Sequence, residues 1–101
     1  MRVQISGEAA AAIRADGGRL WVWAARPRLC CSGAPAWMHA ATTQPAGVFG
    51  FTAVELPYAA DLHVYFRPAA GRYPDVLEIG LTGRRRPHVA AYWDGCLMAM
   101  V

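Results

Sequence analysis

The chain carries three cysteines, Cys30, Cys31 and Cys96, and these side chains have the widest chemical reach in it. Cys31 opens the step Cys31-Ser32-Gly33, in a stretch that ends at Pro35. A cysteine in a loop of this composition can turn its sulfur toward a metal without breaking a β-ladder. Arg26 and Arg28 precede it closely, and nearby guanidinium charge favours thiolate over thiol. Thiolates are the soft ligands that iron–sulfur clusters and zinc select. A disulfide between Cys30 and Cys31 is not expected, because adjacent Cα atoms lie about 3.8 Å apart and a disulfide wants about 4.4 Å or more. The odd count speaks against a closed disulfide framework and for a reducing, cytoplasmic compartment. The plainer reading is that one or more of the three thiols is a small hydrophobe in the packing. If the chain is extended at Cys30 and Cys31 the two side chains point to opposite faces, so both can serve one metal only where it is not.

The remaining reactive side chains are less organised. His39, His63 and His88 form no close-spaced ligand pair, and lone histidines among apolar neighbours usually pack or lie on the surface. His39, eight residues after Cys31, is the reserve ligand. Arg84, Arg85 and Arg86 form the one basic run, which could grip phosphates or simply be a solvated hairpin tip. Trp21, Trp23, Trp37 and Trp93 sit in apolar strand contexts and read as core or interface. No basic recognition helix and no exposed aromatic platform is legible, so nucleic acid is not expected as a partner beyond weak contact through that run. A nucleophile elbow and a dinucleotide fingerprint are both absent, and the chain is not expected to be an enzyme. A histidine approaching Cys31 would still make a nucleophile, and that alternative stays open. All ten basic residues are arginine, which removes the lysine that a Walker loop, a Schiff base or pyridoxal phosphate attachment needs.

These side chains need elements to position them. The 101 residues suit one domain, and a composition 55% hydrophobic and 17% charged can build a core. The net charge of +3 is mild. No targeting segment is expected, and the longest strand-like apolar run, over 20–25, is far short of the roughly 20 residues a spanning helix needs, so no membrane partner is expected. A short strand over 3–5 leads to Ser6 as N-cap, a helix over 8–14, and a stop at Gly17-Gly18. The stretch 19–25 reads as a strand with Trp21 and Trp23 on one face and Leu20, Val22 and Ala24 on the other. Both faces are apolar, so both should be covered. A loop over 29–35 follows, then 37–43 as strand or short helix, a turn at 45–47, and a strand over 48–56 with Phe49 and Phe51 on one face. Further strands are expected over 62–67, over 75–81 with Leu77, Ile79 and Leu81 inward, and over 89–93, with a hairpin tip at 83–87. Asp94-Gly95 turns the chain, and 96–100 closes it. The expected fold is mainly β with one N-terminal helix (α+β), a compact two-sheet sandwich or partly open barrel, in a single domain over 1–101.

In that order the elements resemble the A-type iron–sulfur carrier family, the HesB/IscA-like proteins. Ile5-Ser6 with the Ala-rich helix through Ile13-Arg14 is similar to the family's start, and the strand over 20–24 to its second element. Cys31-Ser32-Gly33 matches its first cysteine step, and Cys96, 65 residues later, falls where the family carries a Cys-Gly-Cys pair. Here that pair is reduced to Cys96, with Met98 at the second position; Cys30 is an additional thiol, and residues 37–75 show no match. The resemblance implies a HesB/IscA-like fold and a carrier or scaffold for an iron–sulfur cluster or iron, with zinc as alternative. Cys31 and Cys96 would be ligands and Cys30 a third. Three thiolates fall short of four ligands per iron, so the resemblance also implies a homo-oligomer or an exogenous thiol, and a client or donor protein. A metal-free structural or interaction module diverged from the same fold is the other reading.

Overall fold

The structure, a computed structural model, describes residues 1–26 and 35–99. Among them are seven strands and one helix: β1 (Arg2–Ile5), α1 (Gly7–Ala15), β2 (Arg19–Ala25), β3 (Trp37–Ala41), β4 (Thr52–Val54), β5 (His63–Phe66), β6 (Val76–Thr82) and β7 (His88–Trp93). Ser6 caps α1 as expected, its Oγ accepting from the Ala9 N–H at 3.1 Å. Glu8 in the first turn and Arg14 in the last oppose the helix dipole favourably. The helix ends where the Gly18 N–H donates back to the Ile13 carbonyl at 2.8 Å. Gly17 and Gly18 both take positive φ there, which a side chain would strain.

The strands form two sheets, ordered β1-β6-β7 and β3-β2-β5-β4. β1 runs parallel to β6 and β2 parallel to β5, while the other neighbours are antiparallel. Strand alternation sends Leu20, Val22, Val64 and Phe66 from one sheet, and Leu77, Ile79 and Trp93 from the other, into one shared core. Phe66 meets Trp93 across the gap with ring centroids 6.3 Å apart. Ala9, Ala10 and Ile13 of α1 complete that core.

A short segment joins the sheets. Trp93 and Cys96 exchange backbone hydrogen bonds of 2.7 and 2.9 Å around Asp94-Gly95, both at positive φ as a tight two-residue hairpin turn requires. The Asp94 side chain accepts from the Val76 N–H at 2.8 Å, fixing the turn against β6. Residues 97–99 then run antiparallel to the start of β3. Met38 N–H donates to Leu97 and Ala99 N–H to Ala36, each at 2.8 Å, with Trp37 opposite Met98. The sheets are thus closed along one seam. Along the other side, between β1 and β4, a cavity of about 370 Å³ opens beside Met1, Val54, Phe66 and Tyr73.

The mainly β, two-sheet expectation holds, and 37–43 proves to be strand over Trp37–Ala41. One element differs. The strand expected over 48–56 is reduced to Thr52–Val54; Gly47 and Gly50 take positive φ and break the extended chain, leaving Phe49 78% exposed. Among the described residues of 96–100 there are only isolated bridges, because the Cys96 backbone is engaged with Trp93 while Leu97 and Ala99 bond to β3.

Two outcomes test this architecture. Ala99→Pro removes the N–H of the seam and leaves the Ala36 carbonyl without its donor; urea unfolding should show a loss of about 1–3 kcal/mol. Asp61 pairs with Arg14 at 2.6 Å on the surface, and the Arg14 hydrogen bond holds the Asp61 carboxyl below its usual pKa. A lowered folded-state pKa stabilises above the unfolded value and ceases to as pH falls. Asp61→Asn should therefore lower Tm slightly at neutral pH and leave it unchanged well below about pH 3.9.

Candidate functional site

Cys96 is free and exposed, immediately after the turn that leaves β7. Its backbone is held on both sides by Trp93, so the thiol projects from a fixed point of the seam. Cys30 and Cys31, with Arg28, Ser32 and Gly33, lie outside the described residues. The ends of their connection are defined: Ala25 of β2 pairs with Trp37 of β3, and the connection bearing both cysteines leaves from that pair. Ala36, five residues after Cys31, is bonded to Ala99, three residues after Cys96. The fold thereby replaces a 65-residue separation by one interstrand contact with a few residues of chain on either side. The direction of the ladder sets a condition: Cys96 lies three residues, about 10 Å of strand, beyond that contact on the side away from the connection.

On β3 the reserve ligand His39 follows Met38, whose N–H donates to Leu97. The His39 ring stacks on Trp23, with centroids 5.4 Å apart and planes 18° apart. His63 starts β5 beside Arg19, and His88 sits on β7, its Nδ1 3.2 Å from the Arg86 carbonyl. The three histidines are therefore on three different strands. Among the described residues no three of His, Cys, Asp and Glu gather into a group that could hold a metal. Arg84, Arg85 and Arg86 are exposed at the β6–β7 tip. Gly83 makes that tip possible, since at φ +98° a Cβ would lie 2.7 Å from the Arg86 carbonyl oxygen.

The tryptophans divide between core and sheet surface. Trp93 belongs to the core between the sheets, at 2% exposure, and Trp21 is also buried, at 9%. Trp21 and Trp23 lie on the outer face of the four-stranded sheet, opposite the Leu20 and Val22 face, and Trp37 is 43% exposed. Neither the helix nor the second sheet covers this outer face. Its rings shield one another across the strands: Trp21 stacks on Tyr65 at 5.3 Å, and Trp23 meets Phe51 edge-on at 6.1 Å. Trp37 thus stands exposed on a face whose other rings, with Trp21 buried among them, are partly shielded. The signal was the apolar alternation of β2, which implied cover on both faces without saying that cross-strand aromatic pairs supply it.

Comparison with protein-family models, with curated proteins and with solved structures finds no match to this chain.

In a Cys30→Ser/Cys31→Ser double variant, the Cys96 thiol should react with a disulfide reagent in the native protein at the rate of an open thiol, with no denaturant. Gly95→Ala meets no neighbouring atom but forces a side chain into positive φ; it should cost about 1–2 kcal/mol in urea unfolding through backbone strain alone.

Proposed function

We propose that the protein is a non-enzymatic carrier or scaffold that binds an iron–sulfur cluster or iron through cysteine thiolates, with Cys31 and Cys96 as ligands and Cys30 as the third. Zinc is the alternative occupant of the same thiolates. The observation that carries the reading is the Ala99–Ala36 hydrogen bond, which sets the Cys96 segment against the strand leaving the Cys30-Cys31 connection. The β1-α1-β2 start and the two-sheet, mainly β architecture are what a HesB/IscA-like domain would require. The exposed Cys96 thiol suits a group that is handed on to a client rather than enclosed.

When bound, a cluster would supply redox and sulfide chemistry to the client that receives it. This chain would supply the thiolates and hold them at the seam. Because three thiolates fall short of four ligands per iron, a partner subunit's or exogenous thiol would fill the remaining ligand position. His39, on β3, is the reserve ligand from within the chain. A second copy, and a client or donor protein, are the partners this reading requires.

Protein isolated without oxygen or chelators should contain iron and show a visible absorption band. Cys31→Ser or Cys96→Ser should each abolish the band and reduce metal content at least tenfold, while Cys30→Ser reduces it less. Zinc in place of iron, lost in the same variants, would identify the alternative metal. Metal-free, colourless protein with three freely titratable thiols would overturn the proposal and leave a metal-free interaction module.

A further inference from the structure

We propose that the outer face of the β3-β2-β5-β4 sheet binds a single-stranded nucleic acid, with Trp37 and Trp23 stacking bases and Arg19 and Arg67 neutralising phosphates. This site is separate from the thiolates and does not depend on them.

The face has the chemistry of a stacking platform. Its strand positions hold Trp23, Trp37 and Tyr65 around a buried Trp21 that stacks on Tyr65, and Trp37, the most exposed of the four tryptophans, offers 43% of its surface to solvent. Sequence-tolerant single-strand binding is built from aromatic rings on a sheet surface combined with cations that follow the backbone. The cations are here. Arg19 lies at one end beside Trp21, bordering a cavity of about 370 Å³. Arg67 lies at the other end beside Trp23, bordering one of about 360 Å³. His39 and His63 add two exposed imidazoles on the same face. No strand position on this face is acidic; Glu55 falls just past the end of β4, and Asp16, at the Arg19 end, accepts a hydrogen bond from Thr42.

The basic tip extends the platform. Thr42 and Thr43 line both the cavity beside Arg19 and a second one of about 320 Å³ that reaches Pro87 and His88. Arg84, Arg85 and Arg86 therefore stand at the end of the platform that Arg19 already makes positive. The occupant follows from the charges and the rings together. A polyanion is attracted, and stacking on an open ring needs bases that are not already stacked in a duplex. A second copy of this chain would instead bring Arg19 and Arg67 against the same guanidinium groups of its partner, which like-charge repulsion disfavours.

The test is titration of the full chain with an oligodeoxythymidylate of about 12 nucleotides, within the span one sheet surface covers, read by tryptophan fluorescence. Binding should quench the emission, exceed that of a duplex of equal length, and fall with salt. Trp37→Ala, checked by circular dichroism to be folded at the temperature of the titration, should weaken binding roughly five- to hundredfold. Arg19→Ala/Arg67→Ala should lower the salt slope by about 1.4. Binding by Trp37→Ala equal to wild type would overturn the proposal, as would equal, Trp37-dependent binding of an acidic peptide. A dimer in sedimentation that Trp37→Ala dissociates would also overturn it, assigning the face to a second copy.

Discussion

Ala99 N–H to Ala36 and Met38 N–H to Leu97 are two ordinary backbone hydrogen bonds, each at 2.8 Å, and they join edges that would otherwise stay open. Without them the free edge of β3 would present unpaired donors and acceptors to any passing strand. Net stabilisation from such bonds is modest, about 0.5–1.5 kcal/mol apiece, so their weight lies in registration rather than in energy alone. They keep the two inner faces opposed, which lets Phe66 reach Trp93 and lets Ile13 seal the gap. The larger energy, from apolar surface withdrawn from water, depends on that alignment.

The four-stranded sheet has two apolar faces with different fates. The inner one is buried against the second sheet and the helix, with Leu20 and Val22 at 0% exposure. Among the described residues no helix or sheet lies over the outer one. Cross-strand pairs at matched register, Trp21 with Tyr65 and Trp23 with His39, cover part of each ring with another ring. Such pairing stabilises the sheet and leaves ring edges and the Trp37 surface in solvent, next to guanidinium groups.

β3 is where the two chemical regions meet. Its Met38 points into the core, its Trp37 and His39 point outward, and Ala36 just ahead of it holds the Cys96 segment. A change in how residues 97–99 sit on β3 would therefore be felt both at the thiol and at the aromatic face. The two proposed activities share this strand, and His39 is a candidate in both.

Local propensity determined much of this protein. Ser6, the alanine run and Gly17-Gly18 specify α1 by capping and backbone freedom, and alternation specifies β2, β5, β6 and β7 with Leu77 and Ile79 inward and Glu78 out. The three cysteines, the histidines and the arginine run were also visible as chemistry. Local pattern could not say which face of an all-apolar strand meets the core, because both faces of β2 look alike until a second sheet takes one of them. Nor could it foresee that Gly47 and Gly50 would cut β4 short, or that residues 97–99 would pair with β3. Those are contacts between residues tens of positions apart, chosen by the closure of the whole β surface, and only the tertiary structure decides them.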